Sequence, residues 1–448
     1  MSSLSSQPYK GTRDYYPEDK RIQNYIFDVW GKTAESFGYE EYGSPMLEPL
    51  AVYAAKSGQE IANEQTYSFT DRGDREVAIR PEMTPSISRM VAARRQEMAY
   101  PARLYSIANF MRYERPQRGR EREFWQLNVD IFGVDSVQAD AEVISYGDQM
   151  LKAFGATSDM YAIRINNRKV IDVVMSDYLG LNVIQSQLMI KLFDRKNKIS
   201  SEDFRDQAID IFGEEHAPVG LQKISTLLTV KSFDMLPEQL LENEDVQELK
   251  QVFALVEKSG VTNAQFDITL MRGFDYYTGT VFEFFDTHPD NNRSLFGGGR
   301  YDGLVGLFGA EPLSAVGFAP GLTTTELFLT SHDLIPELKS STDVYLVVLG
   351  ENTLDGANVF ARQLRAEGVK AELDITLRKI DKQIRTAIKK NIPFMIFVGK
   401  EELESKLYAL KDTSSSEEQK LSFERIVSTV KDRRRSAKDD LDDLIDSI

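Results

Sequence analysis

The chain reads as an α+β protein that carries a helical insertion and ends in a separate α/β domain. Three observations predict this. Residues 112–133, RYERPQRGREREFWQLNVDIFG, have the pattern of a strand, a basic loop and a returning strand. From about 170 to 261 the chain turns to helix formers with mixed charge and repeated apolar spacing, as in Leu221, Ile224, Leu227 and Leu228. Beyond a polar linker at 331–342, which holds Pro336 and the tract KSST, buried-type strands alternate with amphipathic helices.

The elements follow in order. Residues 11–17 read as a turn. Residues 18–37 read as an amphipathic helix, with Ile22, Tyr25, Ile26, Val29 and Trp30 at helical spacing. The segment 38–50, GYEEYGSPMLEPL, reads as a strand interrupted at Pro45, a residue suited to a strand edge or interface. A short strand is expected at 76–80 and a helix at 84–95, which Pro85 can begin because the first turn needs no N–H there. In the returning strand of the hairpin, Phe124, Gln126 and Asp130 alternate with Trp125, Leu127, Val129 and Ile131, so the two sets leave on opposite faces. A helix over 139–154 follows. The C-terminal part predicts strands at 344–349, 369–373 and 394–398, and helices at 354–367, 379–390 and near 423–433. That βαβαβ order implies a small parallel-type sheet covered by helices. Residues 413–418 read as a loop.

Bulk composition narrows the class. At 448 residues, with 42% hydrophobic and 28% charged residues, the chain has material for two or three domains and a sizeable core. No apolar run approaches the roughly 18 residues a membrane span needs. The first residues show no apolar signal core, so a cytoplasmic protein without membrane contact is expected. Cysteine is absent, which excludes disulfides and thiolate metal sites. The three histidines, His216, His288 and His332, are scattered, and no dedicated metal site is expected. The net charge of −16 argues against a polyanionic partner only until its distribution is considered. The hairpin loop is locally basic, and so is 377–391, LRKIDKQIRTAIKKN, while acid gathers at 439–446. A guanidinium-rich hairpin suits a nucleotide phosphate at its base and a polynucleotide end at its tip.

Three further blocks accompany the hairpin: 270–285 (LMRGFDYYTGTVFEFF), 296–304 (FGGGRYDGL) and 315–322 (AVGFAPGL). Together they resemble the histidyl-tRNA synthetases, class II aminoacyl-tRNA synthetases, over nearly the whole chain. Arg-Gly-x-Asp-Tyr-Tyr is the histidine-specific signature of that family. The resemblance implies a class II synthetase fold with a central antiparallel sheet over 1–330, the helical insertion at about 170–261 lying within it, and an anticodon-binding domain over 343–448. It implies a histidine–tRNA ligase: L-histidine and ATP give histidyl-adenylate, and tRNA(His) then takes the histidyl group. ATP would bring Mg2+ with it, and the dimer-forming motif of the family matches residues 38–50, so a homodimer is expected.

Site residues carry over by position. Arg112 and Arg272 match the catalytic arginines expected on either side of the α-phosphate. Glu82 and Thr84, in IRPEMT, match the pair that binds the α-ammonium, with Gln126 beside them. Asp130 matches the carboxylate that reads the imidazole, and Tyr276, Tyr277 and Tyr301 would line that pocket. Gly297, Gly298 and Gly299 would let the backbone approach substrate or make a tight turn. Glu121 has an ATP-related role in prospect, and Arg115 and Gln117 would meet the tRNA acceptor end. One departure stands out. Motif 3 normally runs Gly-Leu-Glu-Arg, but here Gly321 and Leu322 are followed by Thr323 and Thr324, so the arginine that holds the γ-phosphate is missing. Arg120, Arg122 or Arg300 would have to recover that charge. The same departure fits a non-catalytic relative, the histidine-sensing regulatory subunit of ATP phosphoribosyltransferase. The C-terminal domain and the intact hairpin loop oppose that alternative.

Overall fold

A computed structural model describes residues 4–54, 65–196, 199–271, 276–291 and 293–446, with side chains to 434. The chain forms two compact units, Met1–Ile335 and Pro336–Ser447.

The first unit is built on strands β1 (Glu40–Glu41), β2 (Leu47–Pro49), β3 (Ser68–Thr70), β4 (Glu76–Ile79), β5 (Ala102–Met111), β6 (Glu123–Phe132), β7 (Tyr161–Asn167), β8 (Ala264–Phe266), β9 (Thr280–Asp286), β10 (Ser294–Arg300) and β11 (Ala315–Phe318). Eight of them form one sheet in the order β1-β5-β6-β11-β10-β9-β7-β8, and β2-β4-β3 form a small second sheet. The six inner strands of the large sheet pair antiparallel, while β1 and β8 join its edges in parallel. The hairpin is the centrepiece. β5 and β6 pair over their full length, from Ala102 opposite Phe132 to Met111 opposite Glu123. The period of two then sorts side chains by face. Trp125 turns toward the helix Pro17–Ser36, where its ring meets Phe27 at 5.3 Å, and Phe318 meets Tyr146 of the helix Val137–Ala153 at 5.2 Å. Trp30, Val143, Ile144 and Tyr146 are fully buried beneath this apolar face. The other face carries the polar set of β6, including Gln126 and Asp130.

The helix Thr84–Ala93 starts with Pro85 in its first turn, as expected. Between β7 and β8 the chain is helical, including Val183–Arg195, Ser201–Phe212, Ala217–Thr229 and Glu244–Lys258. Local chemistry starts these helices: Asn182 and Gln185 cap each other reciprocally, and the Ser200 hydroxyl accepts from the Asp203 N–H. Ile224 and Leu227 are buried, as their spacing implied.

The second unit holds β12 (Val344–Val348), β13 (Ala371–Leu373), β14 (Phe394–Val398), β15 (Tyr408–Asp412) and β16 (Glu418–Leu421) in the order β13-β12-β14-β15-β16. β13, β12 and β14 run parallel, as the βαβαβ order predicts. The last two strands are not expected from the sequence. The loop expected at 413–418 is present as the turn 413–417 between them, in which the Asp412 side chain accepts from the backbone N–H groups of Ser414 and Ser415. β16, with the sequence EQKL, is almost wholly exposed and lacks the apolar alternation that marks a strand. The final helix also runs further than expected, Phe423–Asp446. Val344, Leu346 and Val348 pack on Phe360, Leu364, Ile426 and Val430, and Tyr345 and Val347 pack on Ala387 across the sheet. Helices therefore cover both faces of this sheet.

Candidate active site

The polar face of the large sheet has a floor without side chains at two neighbouring positions. Asp130 on β6 lies opposite Gly317 on β11, which lies opposite Gly299 on β10. A Cβ at Gly317 would stand 2.2 Å from Asp130 Oδ1 and 2.4 Å from the Val129 carbonyl, and one at Gly299 would stand 2.7 Å from the Thr280 carbonyl. Only glycine fits either place. The FGGG run is thus strand rather than tight turn, and its middle residue, Gly298, faces the opposite side, against Phe318 and Phe282.

Two polar groups stand over this floor. At one, Tyr301 donates a short hydrogen bond to Asp130 Oδ1. Burial pushes the Asp130 carboxyl up to about 7, and the Tyr301 hydroxyl draws it partly back. At the other, Tyr276 donates to Glu82 Oε2 at 3.1 Å and shares a hydrogen bond with Thr84. Tyr276 links the two, with its ring edge-on to Tyr277 at 5.2 Å and to Tyr301 at 5.8 Å. The structure therefore brings Glu82, Thr84, Asp130, Tyr276, Tyr277 and Tyr301 together, although they come from four separate stretches of chain. Gln126 lies further along the same face of β6 and forms an isolated bridge with Gly321.

Arg112 closes the end of β5. Its Nε donates to the Pro81 carbonyl at 2.8 Å, and its guanidinium lies over the Phe124 ring at 5.2 Å. That bond ties the arginine to the segment bearing Glu82 and Thr84. Arg272 lies outside the described residues. Arg115 and Gln117 are exposed on the hairpin loop, where Gln117 and Arg120 exchange backbone hydrogen bonds around Gly119.

The three arginines considered for the missing motif 3 charge differ sharply. Arg300 is not open to a phosphate. It is buried, and its guanidinium donates to Asp140, Val134 and Ser136, so a phosphate would have to break a buried ion pair. Arg122 is buried between the Tyr9 and Tyr113 rings and donates to the Glu114 carbonyl. Arg120 is exposed and touches only the Glu114 carboxylate, at 3.2 Å, among the described residues. Thr324 itself donates to the Leu295 and Gly321 carbonyls. Glu121 faces the same helix, Leu322–Ser331, and accepts from Thr323 at 3.0 Å, with burial raising its pKa. A cation not singled out from the sequence, Arg13, pairs with Glu326 on that helix at 2.8 Å. Its only sequence signal is its place in the turn 11–17.

Comparison with known proteins decides the family. A sequence model described as Histidyl-tRNA synthetase matches residues 11–324, and one described as Anticodon binding domain matches residues 343–433. The chain belongs to the histidyl-tRNA synthetase family. Its relatives include the histidine–tRNA ligases of Leptospira biflexa, 40% identical over 96% of this chain and 98% of that one, and of Thermococcus kodakarensis, 34% identical over 94% and 97%. The solved histidyl-tRNA synthetase from Nostoc sp. PCC 7120 shares the fold with a TM-score of 0.80 over 96% of this chain and all of that one, at 24% identity. The catalytic unit thus has the class II synthetase fold, followed by an α/β anticodon-binding domain.

Proposed function

We propose that the polar face of the large sheet performs the ligase reaction of the family, with the roles of its residues as follows. Glu82 and Thr84, held by Tyr276, take the α-ammonium of histidine, with Gln126 beside them. Asp130 accepts a ring N–H, and Tyr277 and Tyr301 enclose the imidazole. Arg112 and Arg272 flank the α-phosphate of ATP, whose outer phosphates carry Mg2+ as part of the substrate. Little covalent work falls to the protein: the carboxylate of histidine attacks the α-phosphate, and the cations stabilise the charge that grows there. The exposed Arg120 is the best placed of the three arginines to meet the γ-phosphate. Arg115 and Gln117 meet the acceptor end of tRNA(His). The observation that carries this reading is the convergence of Glu82, Tyr276 and the Asp130–Tyr301 pair on a floor of glycines. Purified protein should catalyse ATP–pyrophosphate exchange that depends on histidine, and then charge tRNA(His). Histidine binding without exchange would favour the regulatory-subunit alternative, which the C-terminal domain argues against.

Asp130 supplies a measurable signature. Burial pushes its carboxyl up to about 7, above the ordinary 3.8, because the ionised form is the one burial disfavours. This costs stability as pH rises from the ordinary value through 7, with no further loss above it. Accepting a ring N–H requires the ionised form, so histidine binding near pH 7 should release protons from this group. Calorimetry in buffers of different ionisation enthalpy measures that release. Asp130→Asn should remove it and weaken binding by about 1.5–3 kcal/mol. Equal proton release in both proteins would refute the role.

A homodimer is supported by the exposed apolar residues Met46, Leu47 and Phe69 around the small β2-β4-β3 sheet. Light scattering at micromolar concentration should give twice the chain mass. A monomer there would refute it.

A further inference from the structure

We propose that Asn166 is a positioning residue of the ligase reaction, its side-chain amide fixing in place the turn that leads into Arg272. The inference rests on the α-phosphate role given to Arg272 above and adds a residue that acts through it.

Asn166 shares a row of the large sheet with the pocket. Asp130 on β6 lies opposite Gly317 on β11, Gly317 opposite Gly299 on β10, Gly299 opposite Val281 on β9, and Val281 opposite Asn166 on β7. Residues directly opposite in antiparallel pairs send their side chains to the same face. Asn166 therefore stands on the face of Asp130, about 19 Å along the row. It is fully buried.

What lies over Asn166 is the chain on its way to the signature Arg-Gly-x-Asp-Tyr-Tyr. β8 ends at Phe266, opposite Ile165, and the Asp267 N–H still donates to the Ile165 carbonyl at 3.2 Å. The chain then turns. The Leu270 N–H donates to the Asp267 carbonyl at 2.9 Å, and the Asp267 carboxylate accepts from both the N–H and the hydroxyl of Thr269. Those bonds give the turn its shape but do not say where it sits. Asn166 does: its Nδ2 donates to the Ile268 carbonyl at 3.3 Å and to the Leu270 carbonyl at 3.1 Å. Both partners only accept, so the nitrogen must face them, and neither Leu nor ionised Asp, of similar size, could hold them. The Asn166 Oδ1 is left buried with no hydrogen bond among the described residues. A polar atom so placed is costly, and an apolar residue would avoid it. The double tether is what asparagine supplies here. Ile268, Leu270 and Met271 are buried as well, so the chain is held up to the residue before Arg272. A cation that must meet charge growing on a phosphate depends on such placement, since an error of about 1 Å can cost about 100-fold in rate.

The test is a double-mutant cycle in the full-length protein, read by histidine-dependent ATP–pyrophosphate exchange. Asn166→Ala should lower kcat about 10- to 100-fold and leave the histidine KM within about threefold, because Glu82, Asp130 and Tyr301 keep their partners. In an Arg272→Ala protein the same substitution should cost less than about threefold, because the displaced turn no longer carries the cation. A merely structural loss would be carried over in full. Two results would overturn the proposal: turnover of Asn166→Ala within about threefold of the unaltered protein, or its whole loss retained beside Arg272→Ala. Should the alanine variant not fold, Asn166→Ser keeps one donor for the carbonyls and is read by the same two limits. Arg272→Ala alone separates the levels. If it slows exchange and the Asn166 variants do not, only the role of Asn166 falls. If it leaves exchange within about threefold, the reading of Arg272 falls, and the tether with it.

Discussion

Arg112→Ala should slow histidyl-adenylate formation by about 10²- to 10³-fold, the usual cost of losing one fixed donor to a developing anion. The guanidinium is preorganised: one nitrogen is fixed on the Pro81 carbonyl, and the group lies against Phe124. Of its other nitrogens, Nη1 lies 3.8 Å from the Glu114 carboxylate, a weak pairing that an α-phosphate can replace when charge builds there. Such a group lowers the barrier more than it tightens the ground state, so the loss should fall on kcat, with the histidine KM moving only a few-fold. Arg272→Ala should behave alike, because the family signature assigns it the opposite side of the same phosphate. Pyrophosphate exchange at saturating histidine reads both variants. Turnover within about threefold of the unaltered protein would refute the catalytic role. A loss confined to KM would mean that Arg112 acts only by holding the segment of Glu82 through Pro81. Lysine should not restore Arg112, since a point charge cannot both anchor to Pro81 and present a planar fork.

Sequence periodicity revealed the architecture where apolar patterning was strong. The alternation 124–131 placed Gln126 and Asp130 on one face and Val129 and Ile131 on the other, and the structure pairs that strand along its whole length. The same logic passed over β16, because an edge strand of EQKL buries nothing and its ladder hydrogen bonds leave no mark in residue type. Motif positions likewise named residues that the fold brings close together, but could not say which polar groups are already spent. Arg300 looked available until its pairing with Asp140 across 160 positions was visible. Arg13 and Glu326 illustrate the same limit, since an ion pair 313 positions apart is a product of topology.

Removing residues from Ser341 onward should cost tRNA charging at least about 100-fold in kcat/KM while leaving pyrophosphate exchange within about threefold. Every residue assigned to histidine and ATP lies upstream, in the unit Met1–Ile335. The removed unit has its own core, with Val344, Leu346, Phe360 and Ile396 buried together. Its contribution is a charged surface. On the helix Ile380–Lys389, Gln383 and Ala387 face inward, and Gln383 clamps Val348 through both its N–H and its carbonyl. That orientation leaves Lys382, Arg385, Lys389 and Lys390 exposed. In a chain of net charge −16, such a local basic face gives a polyanion a place to bind. Each phosphate neutralised releases counterions, so tRNA affinity of the whole protein should fall steeply with salt, and the truncated protein should show a shallower slope. Charging assays, exchange assays and a salt titration of tRNA binding, run on a truncated protein shown to be folded by circular dichroism, separate this role from a structural one. Equal loss of exchange and charging would mean that the second unit only stabilises the first. An unchanged salt slope would mean that the basic helix does not contact tRNA, and would leave the hairpin loop of Arg115 and Arg120 as the main polyanion contact.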